Sequence, residues 1–196
     1  FGMIFTGVEI GTSKAYDGNK IEENSLNIMA TDTLHLNVMN DHTLFYQSRL
    51  RRSSNSELVE VDGKNMLYSN NLKINVEKST SNDAYIQIRR TSQGRTRSAA
   101  NKNATQLQYN FVLENNQLNL DAYFLSDAKN RLKNEAVKVT VFIPENVTVF
   151  FSKSSKGFLY HIDNTEDIYD RDMVQHHFLM TDTGLDCTDC DTSINK

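Results

Sequence analysis

Short runs with an apolar residue at every second position constrain this chain more than any other feature. In "TLHLNVM" Leu34, Leu36 and Val38 share one face, and in "NLKINV" Leu72, Ile74 and Val76 do the same. The pattern returns at Ala84, Ile86 and Ile88, at Leu107, Tyr109, Phe111 and Leu113, at Leu118 and Leu120, and at Val137, Val139, Val141 and Ile143. A period of two fits a strand with one wet and one dry face and does not fit a helix. Weaker strand signals lie in "ELVEV", "NMLYS", "VTVFF", "GFLYHI" and "VQHHFLM".

Turn chemistry separates the runs. "VDGKN" around Asp62-Gly63 and "SKSSKG" at 152–157 read as turns, and "ENNQ" at 114–117, between two alternating runs, as a tight hairpin. Pro144 closes the "AVKVTVFI" run, where its missing N–H does least damage. Two stretches leave the strand rhythm. "SQGRTRSAANKNATQ" (92–106) reads as a short helix or structured loop, and "LSDAKNRLKNEA" (125–136) as a crossing helix or loop with Asp127 as N-cap. The expected class is therefore all-β, either a solenoid-like β-helix or a rolled multi-stranded sheet, with at most one or two short helices. The runs begin near residues 33, 71, 84, 106, 117 and 136, and this uneven spacing does not select a solenoid.

A chain of 196 residues can bury a sizeable core as one domain without disulfides. The expected division is a juxtamembrane stub or tail over 1–24, a β domain over 25–182, and a tail over 183–196. "FGMIFTGVEIG" at Phe1–Gly11 is apolar but too short to cross a bilayer, and Glu9 interrupts it. It reads as an N-terminal strand or as the stub of a membrane span.

The net charge of −4 gives no general attraction to nucleic acid. Locally, Arg89, Arg90, Arg95, Arg97 and Lys102 form a basic run with no acid between them, and Arg49, Arg51 and Arg52 a smaller cluster. No aromatic residue lies within the run to stack a base, so a protein interaction surface is the sharper expectation and a solvated loop the plainer one. The stretch from Asp163 to Asp191 carries nine acids against one Arg. "DNTEDIYDRD" has the composition of a cation loop without the EF-hand order, and reads as a solvated linker or partner surface.

No catalytic motif nominates a nucleophile, base or phosphate cradle among these residues. The expectation is a non-enzymatic chain without a cofactor. The histidines are His35, His42, His161, His176 and His177. His35 alternates out of phase with Leu34 and Leu36 and should face solvent. On a strand, His176 and His177 would point to opposite faces, so at most one could join a shared site.

Cys187 and Cys190, set as C-x-x-C in "GLDCTDCDTSINK", are the only cysteines. The motif occurs in redox enzymes, half-sites for zinc and plain staples. Asp186, Asp189 and Asp191 would raise the thiol pKa and oppose redox catalysis. A closed zinc site needs four ligands, which His161, His176, His177 or the acids would have to complete. A local disulfide or two unpaired thiols is the simpler reading, and no bound metal is expected.

The blocks "LYSNNLKINV", the small-residue run after "SQGR", "QLQYNFVLENNQLNLDAYF", "VKVTVFIPENV" and "GLDCTDC" together resemble the C-terminal soluble region of Bacteroidetes-type PspC (phage-shock-protein C) proteins. The resemblance covers about residues 31 to 190, and in style the region is similar to adhesin-like head-GIN β domains. It implies a solenoid-like β fold, a membrane span N-terminal to the domain, and an extracytoplasmic position at the cell membrane. It also implies an envelope-stress role with no catalytic residues. The expected partner is an envelope protein or the PspC and membrane portion of the same protein. The alternative is an adhesin-like module binding glycan or matrix.

Overall fold

The computed structural model describes residues 15–29, 31–41, 43, 56–130 and 133–190. They form a mostly β structure with one α-helix and no closed barrel. A four-stranded sheet has the order β1 (Tyr16–Leu26), β6 (Ala84–Gly94), β10 (Ala136–Ile143), β5 (Leu72–Lys78). A six-stranded sheet runs β13 (Leu185–Cys187), β12 (His177–Met180), β11 (Thr148–Phe151), β2 (Thr33–Met39), β8 (Gln117–Asp121), β7 (Phe111–Glu114). A small third sheet joins β3 (Ser56–Val61), β4 (Lys64–Ser69) and β9 (Phe124–Asp127).

The two larger sheets share one core. Leu34, Leu36 and Val38 of β2 pack in the same cluster as Leu72, Ile74 and Val76 of β5 and Val137, Val139, Val141 and Ile143 of β10. Three pairs are parallel and stack like on like. Val139 lies beside Ile74 and Val141 beside Val76; Leu36 lies beside Leu118, and Val149 beside Leu34. The partners β1, β6, β7, β12 and β13 attach antiparallel, so the architecture is a set of sheets rather than a uniform coil.

The expected hairpin at 114–117 forms, and the turn at Asp62-Gly63 proves to be a second one. Val61 pairs with Lys64 across Asp62 and Gly63, and Glu114 with Gln117 across Asn115 and Asn116. All four turn residues have positive φ, from 48° to 73°, as a two-residue turn matched to strand twist requires. Pro144 follows directly on β10. The stretch 92–106 supplies the helix α1 (Arg97–Thr105), capped by Thr96 Oγ1, which accepts from Ala99 N.

Three expectations are corrected. β1 lies largely inside the segment read as a tail, yet pairs with β6 over its whole length, so the β domain reaches back to Tyr16. Likewise β13 draws the C-terminal segment into the six-stranded sheet. The stretch 125–136, read as a helix or loop, opens as a strand instead: Phe124–Asp127 is β9, paired to β4, followed by a 3-10 turn at Ala128–Asn130. The apolar spacing that suggested a helix begins only after this strand, at Ala128, where Asp127 Oδ1 accepts from Lys129 N at 2.9 Å.

Arg90 is the most consequential placement. Ala84, Ile86, Ile88, Arg90 and Ser92 form one column of β6, and all five are buried. Arg90 Nη1 donates to Glu22 Oε2 at 2.8 Å. The hydrogen bonds from Arg90 and Asn24 hold the Glu22 carboxyl below its ordinary value, against the opposing effect of burial. A lowered folded pKa gives stability that is present above the unfolded value and lost as pH falls through the folded one. Glu22→Gln should therefore flatten the loss of stability below pH 4.5. Because Glu22 is 45% exposed, the effect should stay within about 1 kcal/mol, read from urea unfolding across that range.

Candidate functional site

The C-terminal hairpin brings together side chains that are distant in sequence. β12 and β13 pair antiparallel with Phe178 opposite Cys187 and Met180 opposite Leu185. Beyond the ladder, Thr188 N donates to His177 O at 2.9 Å. Continuing that register sets Asp189 across from His176. Cys187 and Cys190 are joined by a disulfide with Cα atoms 5.7 Å apart, closing a small loop that carries Asp189 at its tip.

Asp189 is the hub of this corner. Its Oδ1 accepts from His177 N at 2.9 Å and its Oδ2 from His177 Nδ1 at 2.6 Å, while His176 Nδ1 lies 3.2 Å from Oδ1. Burial pushes the Asp189 carboxyl up, but the hydrogen bonds from His177 and His176 outweigh it and hold it below its ordinary value. The two imidazoles were expected on opposite faces. That alternation fails because His176 precedes β12, directly after Gln175 with its left-handed φ of 69°; both rings turn to the same carboxylate.

On the outward face of the six-stranded sheet, Phe150 lies between His35 and His177. The ring centroids are 5.4 Å and 4.7 Å apart, and all three rings are half-buried. His35 thus faces outward as its phase implied, but against an aromatic ring. Beside it Asn37 Nδ2 donates to Gln117 Oε1 at 2.9 Å and Asn119 Oδ1 at 3.2 Å. The sequence reading missed Phe150. Its only signal is that it alternates with the buried Val149 and Phe151.

The basic run does not form one surface. Arg89, Arg95, Arg97 and Lys102 are exposed, whereas Arg90 is turned inward to Glu22. His42, Tyr46, Arg49, Arg51 and Arg52 lie outside the described residues. The acidic stretch is not a linker. Asp170 accepts from His161 N at 2.8 Å and Ile162 N at 3.0 Å, Glu166 Oε1 from Cys187 N at 3.0 Å, and Asp186 from Thr165 Oγ1 at 2.8 Å. Glu166 and Asp186 tie the loop at 161–172 to β13, and Asp170 closes that loop on itself. Among the tyrosines, Tyr68 stacks on Tyr123 and Tyr85 on Phe142, Tyr109 is buried, and Tyr160 and Tyr169 are exposed.

A family model described as ToastRack found in some PspC matches residues 59–193. The chain belongs to this PspC C-terminal Toast-rack family. The Toast-rack match takes in β6, α1 and the Cys187–Cys190 hairpin, and leaves β1 and β2 outside it. No curated protein and no solved structure matches the chain. Among the described residues no helix is long and apolar enough to cross a membrane.

Proposed function

We propose that this Toast-rack domain is a non-enzymatic interaction or sensing module of a PspC-type envelope-stress system. The family match over residues 59–193 carries the reading. The domain is anchored through a membrane span N-terminal to it and faces the extracytoplasmic side. The Cys187–Cys190 disulfide supports that side, because such bonds persist in oxidising compartments. In this reading the parallel ladders of β2, β5, β8, β10 and β11 are rungs of a solenoid-like coil. Its partner is an envelope protein or the PspC and membrane portion of its own protein.

Arg89, Arg95, Arg97 and Lys102 are each solvated cations that an acidic partner surface could meet. Arg90 is excluded from that surface because its charge is already answered by Glu22. An Arg89/Arg95/Arg97/Lys102→Ala variant should recover roughly tenfold less partner from envelope extracts than the wild type. Cross-linking should identify that partner as membrane-embedded. Equal recovery by both proteins would remove the basic surface from the proposal, and a partner confined to the cytoplasm would overturn it.

A further inference from the structure

The hairpin corner holds a donor set that the interaction reading does not use. One ligand atom each from His176, Cys187, Asp189 and Cys190 lies within 4.8 Å of all the others. We propose that, once the Cys187–Cys190 bond is reduced, these four side chains form a tetrahedral zinc site, so that the hairpin alternates between a stapled and a metal-bound state.

The donor chemistry fits zinc. Two thiolates, an imidazole and a carboxylate are all zinc ligands, at about 2.3 Å for sulfur and about 2.0–2.2 Å for nitrogen and oxygen. Tetrahedral geometry then puts ligand atoms about 3.3–3.8 Å apart, so the widest separation here must close by about 1 Å. His176 and Asp189 are 27% and 40% exposed, and side chains that open to solvent can turn by that amount. The sulfurs must instead move apart from bonding distance, which a Cα separation of 5.7 Å permits.

The surroundings are those of a cation site. His177 already fixes Asp189 through both its ring and its backbone N–H, the outer hydrogen bonding that orients a ligating carboxylate. Glu166 Oε1 accepts from Cys187 N, and its other oxygen is buried with no hydrogen-bond partner among the described residues. An uncompensated carboxylate oxygen beside a ligand residue is costly without a nearby positive charge.

The redox step balances with a trialkylphosphine as reductant. The phosphine donates two electrons to the S–S bond, which breaks; water supplies a proton to each sulfur and its oxygen to phosphorus, giving the phosphine oxide. Zinc then displaces the two thiol protons and binds the thiolates. In a cell a dithiol protein would supply the electrons and become a disulfide. Opening so short a loop removes little chain constraint, so the reduced domain stays folded.

The test uses the whole chain, reduced with phosphine, desalted without oxygen and titrated with cobalt and then zinc. The reduced protein should take up one cobalt, with thiolate charge-transfer and tetrahedral d–d absorption that one equivalent of zinc bleaches. The oxidised protein should show neither. His176→Ala and Asp189→Asn should weaken zinc binding at least about tenfold, and His177→Gln about 10–100-fold through loss of its hold on Asp189. A Cys187→Ser/Cys190→Ser variant should keep the circular dichroism of the wild type and lose the cobalt spectrum. No cobalt–thiolate band in the reduced protein, or unchanged zinc affinity in both His176→Ala and Asp189→Asn, would overturn the site. The partner pull-down above does not depend on either result.

Discussion

Gly18→Ala is expected to destabilise the domain by about 3 kcal/mol, the upper end of what overpacking ordinarily costs. A Cβ on Gly18 would sit 2.3 Å from both Ala100 C and Asn101 N, and one on Gly94 would sit 2.5 Å from Ala100 N. These are backbone atoms of α1 and cannot turn aside. The helix lies directly on the two strands because both partners are small: glycines on β1 and β6, and the fully buried Ala100 and Ala104 on the helix. An added methyl must lift the helix from the sheet. That exposes both alanines and strains two hydrogen bonds, Asn19 N to Asn101 Oδ1 at 3.0 Å and Asn103 Nδ2 to Gln93 O at 2.8 Å. The Gly18→Ala/Gly94→Ala pair should cost less than the sum of the single changes, since lifting α1 once relieves both clashes. Urea unfolding gives the energies, and amide exchange across residues 97–105 should rise in the variants. A loss under about 1 kcal/mol for Gly18→Ala would show that the helix is not seated as described.

Phe178→Ala should cost about 3–5 kcal/mol, the range for deleting a buried aromatic ring from a packed core. Phe178 and Phe151 are both fully buried and meet edge to face, with centroids 5.6 Å apart. Phe178 also pairs with Cys187 on β13 and Val149 on β11, so its ring anchors the stapled hairpin to the shared core. Phe178→Leu refills most of the volume and should cost less than about 1.5 kcal/mol. For a chain of this size each kcal/mol moves Tm by about 2–4 °C, so the alanine variant should melt about 6–20 °C below the wild type. Equal melting of the alanine and leucine variants would place Phe178 outside the cooperative core.

The strands that the sequence displays most clearly are those whose own alternation is strong. In β2, β5, β6 and β10 the predicted dry face is the buried face, and Asp62-Gly63 and Asn115-Asn116 turn the chain where expected. Even the inward position of Arg90 is written in the phase of Ala84, Ile86 and Ile88. Its charge made a surface reading attractive, and only the position of Glu22 across the β1–β6 ladder answers that charge. By contrast β1 has no alternation to read: its residues are mostly exposed, and it is a strand because β6 offers it an edge. β9 follows the same rule at the edge of β4.

The corner around Asp189 shows the same division between near and far. The sequence by itself determined that Cys187 and Cys190 are close enough to join, because three residues of chain hold them together. It also determined the dry faces, the two hairpin turns and the family, since each of these is carried by neighbours in the chain. Only the tertiary structure decided that His176 and His177 both reach Asp189, that Phe150 separates His177 from His35, and that α1 rests on Gly18 and Gly94. Those contacts depend on which strands pair and in what register. That choice is set by burying the dry faces of several strands in one core, and no single stretch of the chain contains it.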